Sequence, residues 1–173
     1  MKNLSISKRL NILLFISAIV LVSITIFSII NLRAINGNII SMYNDRVVPL
    51  KQLKVISDAY AVNIVDCSHK VRNGNISWEE AVPLLESANK DISENWEAYM
   101  NTYLTEEEKQ VAKQVEEFLQ GANSVYIQLA EVLKKERNPA AELELERIIK
   151  AELYQKIDPL TSKITELIDI QLK

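Results

Sequence analysis

The sequence predicts an all-α protein: an N-terminal transmembrane helix followed by an antiparallel up-down-up-down four-helix bundle. Three observations carry that expectation. Glycine and proline number only 3 and 4 in 173 residues, so the chain turns rarely and its elements are long. Leu10 to Leu32 is an apolar run without a charged residue. Beyond it, apolar residues recur at alternating spacings of three and four, the period of a packed helix seam. Residues 1–9 read as a basic leader, 10–32 as the membrane helix and 33–173 as the bundle.

As a helix rising about 1.5 Å per residue, Leu10–Leu32 is roughly 34 Å long, enough to cross a ~30 Å hydrocarbon core. Its polar members are Asn11, Asn31, serines and threonines, and hydroxyls of this kind can bond back to the preceding turn. Lys2, Lys8 and Arg9 precede the run and only Arg33 follows closely. The positive-inside rule therefore keeps the N-terminus in the cytoplasm, puts the helix in the inner (cytoplasmic) membrane and exports the bundle to the periplasm or cell exterior. A cleaved signal peptide would have an apolar region of about 7–15 residues ending in a small-residue site. The run here is longer, and Ser28-Ile29-Ile30-Asn31-Leu32 lacks that pattern, so the segment reads as an uncleaved anchor.

Helix one should continue directly out of the membrane helix, with a kink at Pro49. Leu50, Leu53, Ser57, Tyr60, Ile64, Cys67 and Val71 form its seam, and Asn73-Gly74 ends it. Ser77-Trp78-Glu79-Glu80 is a capping box that opens helix two, which is expected to run to about Leu104. Pro83 lies early in it, and its stripe is Leu85, Ala88, Ile92, Trp96, Tyr99 and Tyr103. Thr105-Glu106-Glu107-Glu108 is a second box, with acids suited to the positive end of the helix dipole. Helix three follows on Val111, Val115, Phe118, Ala122, Val125, Leu129 and Val132. Asn138-Pro139 reads as N-cap and first helical position of helix four, which carries Leu145, Ile149, Ile157, Ile164, Ile168 and Leu172 and a kink at Pro159. Short connections force neighbouring helices antiparallel.

Composition narrows the function. Lys2, Lys8, Arg9 and Arg33, with no acid, give residues 1–33 a charge of +4, which leaves −7 for the rest of a chain whose net charge is −3. An acidic bundle argues against nucleic acid as a partner. One cysteine excludes an intrachain disulfide, and one histidine beside it leaves no ligand set for zinc, haem or an iron–sulfur cluster, so no metal or cofactor is expected. No P-loop, G-x-S-x-G or H-E-x-x-H motif occurs, and no catalytic residues are expected.

The opening MKNLSISKRLNILL, the apolar span and the following MYNDRVVPLKQLKVISDAYAVN resemble the four-helix-bundle sensor domain of bacterial methyl-accepting chemotaxis proteins. The N-D-R-x-x-P-L stretch at Asn44 to Leu50 and the D-P-L at Asp158 to Leu160 carry the resemblance, whose specificity lies in their order and spacing. It implies a sensor that binds a small molecule outside the cytoplasm and relays a helix displacement across the membrane. Members of that family continue into a second transmembrane helix, a HAMP linker and a signalling rod. This chain ends at Lys173, either as a piece of such a receptor or as a short stand-alone relative. The same domain is found on histidine kinases and cyclases, and a membrane-tethered structural or adaptor bundle without ligand is the rival reading.

Arg72, Arg147 and Lys150 are the candidate ligand-binding residues. The end of helix one and the start of helix four both lie far from the membrane in an up-down bundle, where these cations could converge. The resemblance implies a small acidic ligand held there at a homodimer interface, by arginines from helix one and contacts from helix four. Arginine's planar fork suits a carboxylate. The alternative is that these cations pair with Glu144, Glu146 or Glu152 at the surface. His69 and Cys67 read as a surface or seam histidine and a small core residue, and Trp78, Trp96, Tyr99 and Tyr103 as core aromatics. Arg46 sits near the membrane, where it contacts headgroups or pairs with Asp45. Ile39, Val47, Val48, Val55, Ile56 and Val62 lie off the main seam of helix one and suggest a second face for a partner subunit.

The leader's charge yields a topological test. A reporter fused after Lys173 should be found active outside the cytoplasm, and cytoplasmic activity of that fusion would overturn the orientation.

Overall fold

The computed structural model describes residues 6–172, so Lys2 of the basic leader lies outside the described residues. Among them every regular element is helical: α1 (Ile6–Met42), α2 (Val48–Asp58), α3 (Cys67–Arg72), α4 (Trp78–Met100), α5 (Glu106–Leu133), α6 (Pro139–Ile148) and α7 (Tyr154–Gln171). Three π-helical segments, Tyr43–Val47, Ala59–Asp66 and Ile149–Leu153, fill the gaps between α1 and α2, α2 and α3, and α6 and α7.

The chain divides into two units, the first ending at Tyr43 and the second beginning at Asn44. In the first, α1 buries no residue and is long and apolar enough to cross a membrane by length and composition. Four of its polar side chains bond back to the helix's own carbonyls. Ser17, Ser23 and Thr25 donate to the carbonyls of Leu14, Ile19 and Leu21 at 2.9, 2.8 and 2.9 Å, and the Asn31 amide donates to that of Phe27 at 2.9 Å. A helix surrounded by hydrocarbon has no water for such groups, so this internal pairing is what a lipid environment requires.

The second unit is a four-helix bundle. Helix one is α2, the Ala59–Asp66 segment and α3; helix two is α4; helix three is α5; helix four is α6, the Ile149–Leu153 segment and α7. α2 packs on α4, α4 on α5, α5 on α7 and α7 on α2, which closes a four-sided ring around one core. The connections 73–77, 101–105 and 134–138 are each too short to do anything but reverse the chain. Two of the helices after them start on completed capping boxes. Ser77 Oγ accepts from Glu80 N–H at 3.1 Å while the Glu80 carboxylate accepts from Ser77 N–H at 2.8 Å. Thr105 and Glu108 repeat the arrangement at 3.3 and 2.6 Å. Asn138 caps α6 through the Ala140 and Ala141 N–H groups, both at 3.0 Å. Helix one ends in a Schellman turn: Asn75 N–H reaches the Lys70 carbonyl at 2.8 Å and Gly74 N–H that of Val71 at 3.0 Å. Gly74 makes this possible at φ 75°, a conformation that costs other residues about 1–2 kcal/mol.

The core holds Leu53, Ile56, Tyr60, Ile64, Cys67 and Val71 from helix one. The expected seam placed Leu50 and Ser57 inward and Ile56 on an outer face. Instead Ile56 is fully buried and Leu50 and Ser57 are only half-buried. The π-helical turn that starts at Ala59 offsets the register between the two ends of helix one, so a single 3-4 count across it misassigns one end. Of the other groups proposed for an outer face, Ile39, Val47 and Val62 are exposed, and Val48 and Val55 half-buried. Helix two ends at Met100 rather than Leu104, which removes Tyr103 from its stripe and leaves it exposed. Phe118 on helix three and Leu172 at the end of helix four are likewise exposed, while Leu153, Leu160 and Leu167 fill helix four's inner face. The kink expected at Pro49 takes the form of a widened turn, because the π-helical Tyr43–Val47 segment contains residue 45, whose carbonyl the proline ring would otherwise meet. Pro83 and Pro159 both sit inside helices that continue through them.

Replacing Val115, fully buried at the centre of helix three, with Asp should cost about 3 kcal/mol or more. Removing the cap with Thr105→Ala should cost about 1 kcal/mol. Chemical denaturation of the full chain in detergent, followed by circular dichroism, measures both, and indifference to Val115→Asp would refute this core.

Candidate functional site

The bundle end opposite Asn44 is built by the end of α3, the turn to α4, and α6. Schellman termination fixes Arg72 at the last helical position of α3, and Asn138 capping fixes the start of α6. Between them lies a cleft of about 260 Å³ lined by Val71, Arg72, Trp78, Arg137, Leu145 and Glu146, among others.

Its charges are largely matched. Arg137 Nε pairs with Glu142 at 2.7 Å, and Lys150 Nζ with Glu146 at 2.5 Å. The hydrogen bond from Lys150, then its charge, and last the charge of Arg72 hold the Glu146 carboxyl below the usual carboxylate range. Arg72 donates from Nε to Asn73 Oδ1 at 3.2 Å and forms no ion pair among the described residues. Arg147 is turned away from this cleft. Its Nη1 pairs with Glu152 at 2.6 Å and its Nη2 donates to Gln128 Oε1 at 3.1 Å, on the side of α5. Gln128 also donates to Glu152 at 2.8 Å, and hydrogen bonds from Gln128 and Arg147 lower the Glu152 carboxyl. Of the three candidate cations, only Arg72 lines the cleft. Lys150 reaches it through Glu146, and Arg147 belongs to a separate cluster.

The other singled-out residues fall as follows. His69 Nε2 and the Tyr154 hydroxyl are 2.7 Å apart, a contact that ties helix one to helix four. Cys67 is buried, and that burial pushes its thiol up. Trp78 is core; Trp96 is half-buried and stacks on Tyr99 with ring centroids 5.6 Å apart. Among the described residues no three His, Cys, Asp or Glu side chains converge as a metal site.

At the Asn44 end, sequence reasoning missed a polar cluster that joins helices two, three and four to Arg46, just before helix one. Glu108 of helix three is fully buried, and Arg46 Nη1 lies 3.6 Å from its Oε1 as an ion pair without a hydrogen bond. Arg46 Nη1 also donates to Gln171 Oε1 of helix four at 3.4 Å. The Tyr99 hydroxyl of helix two is buried beside them; burial first, then the Glu108 charge, push it up to about 12 against the pull of Gln171. The signal was present in the capping box. The glutamate of such a box folds back on its own helix start, and here that start packs inward.

Residues 3–173 match the family described as the four helix bundle sensory module for signal transduction. Over 168 residues the chain is 32% identical to the methyl-accepting chemotaxis protein NahY of Pseudomonas putida, an alignment that covers 95% of this chain and 30% of that protein. The chain therefore spans less than a third of that relative's length. No solved structure matches it. The chain belongs to the four-helix-bundle sensory modules of methyl-accepting chemotaxis receptors.

Proposed function

We propose that the bundle is the extracytoplasmic ligand-binding part of a chemotaxis receptor, anchored by α1 in the inner membrane with its N-terminus in the cytoplasm. A small acid docks at the end opposite Asn44, and helix one and helix four carry the resulting displacement toward the membrane. The observation that supports this most is Arg72. Its terminal guanidinium nitrogens have no partner among the described residues, and it lines a cleft between helix one and helix four. A carboxylate there gains a bidentate, charge-assisted pair. Lys150 is released to the ligand when its pairing with Glu146 exchanges, and Arg147 stands one turn away on the same helix. In a homodimer formed on the exposed face of helix one, where Val62 lies, two copies of Arg72 share the ligand.

The full chain in lipid nanodiscs, titrated calorimetrically with amino acids and dicarboxylic acids, tests this reading. One acid should bind, and Arg72→Ala should weaken it by roughly 10- to 100-fold, the range for a hydrogen-bonded charge pair. Lys150→Ala should weaken it less. Unchanged affinity in Arg72→Ala sinks the site.

Sedimentation of the detergent-solubilised chain should show the acid shifting monomer to dimer, since a ligand that binds only the dimer stabilises it by mass action. An acid that binds without moving that equilibrium would remove the shared-arginine arrangement.

A further inference from the structure

A second cleft lies midway along the bundle, away from Arg72. Its volume is about 470 Å³, within the size range of small-molecule sites. Helix two supplies one face through Asn89, Ile92 and Trp96 at three-four spacing, with Glu97 beside Trp96. Helix three closes the other side through Leu119 and Asn123, and Tyr60 of helix one forms part of the lining.

Tyr60 sets this cleft apart. It is 3% exposed, yet its hydroxyl has no hydrogen-bond partner among the described residues. Its ring is held in the core while the hydroxyl is not sealed off, so it opens to the cleft and can bond a ligand there. It also belongs to the π-helical Ala59–Asp66 segment, and such widened turns recur at functional sites. The side chains of Asn89, Glu97 and Asn123 are equally without a protein partner among the described residues. The contrast with the Arg72 cleft is chemical: there most charges are already matched, whereas here no cation lines the cleft and one carboxylate does.

That composition selects its ligand. An anion would meet Glu97 with nothing to pair it. A cation meets a carboxylate, a half-buried indole that stacks on Tyr99, and a phenol whose burial disfavours its ionised form. Amide oxygens on Asn89 and Asn123 accept N–H donors, and Ile92 and Leu119 offer apolar surface. We propose that this cleft is a second ligand site, for a small organic ammonium ion held by Glu97, Trp96 and Tyr60. It is independent of the acid site at Arg72.

Calorimetric titration of the full chain in nanodiscs with phenethylammonium and with tetramethylammonium tests it, with phenylacetate as the anionic counterpart. At least one ammonium should bind. Glu97→Gln, an exposed isosteric change that leaves the core intact, should weaken it about tenfold, as should Trp96→Leu. Tyr60→Phe, which removes only the orphan hydroxyl, should weaken a primary ammonium more than tetramethylammonium, which has no N–H to donate. Arg72→Ala should leave ammonium binding unchanged, so this site and the acid site fail separately. The proposal is overturned if neither ammonium binds, if binding survives both Glu97→Gln and Trp96→Leu, or if phenylacetate competes for the cleft.

Discussion

Every feature of the bundle depends on four helices burying one apolar stripe each against a shared centre. The stripe decides which way each side chain faces, and through that which polar groups are left for binding. On helix one the stripe is kept inward by a widened turn rather than by an unbroken heptad. Ile56 precedes the turn and Ile64, Cys67 and Val71 follow it, all of them buried. The same widened turn presents Tyr60, so the device that keeps the core in register also lines the mid-bundle cleft.

Fold class, helix order and the positions of the three turns were legible because each rests on local chemistry. Ser77 and Thr105 with their partner glutamates, Asn138 before Pro139, and Gly74 behind helix one act within a few residues of themselves. The rotation of each helix was less legible. Ile56 and Leu50 exchanged roles because π-helical turns leave no mark in an apolar count, and Tyr103 left its stripe because helix two stops a turn early. Polar partners across helices were least legible of all. Arg147 and Arg72 share the same general end of the bundle, but α6 points one toward α5 and the other lies on α3, a separation of faces that spacing alone does not resolve.

The two clefts differ in how their polar groups are employed at rest. Around Arg72, Arg137 and Lys150 already hold Glu142 and Glu146, so the proposed acid would have to exchange partners. Exposed pairs of this kind are worth about 0–1 kcal/mol each, which makes the exchange inexpensive. Around Tyr60 no ion pair among the described residues would have to break for the proposed ammonium to dock.

The cluster at the Asn44 end has a further consequence. Glu108 is enclosed, and Arg46, itself still partly in solvent, is its partner. Without Arg46, the Glu108 carboxylate would keep, among the described residues, only its capping hydrogen bond from Thr105 N–H. Arg46 lies in the π-helical segment just before helix one, Glu108 in helix three and Gln171 in helix four, so one side chain joins three parts of the chain. One guanidinium thus gathers the Asn44 end of the bundle, so its loss would loosen helix three and helix four together rather than one at a time.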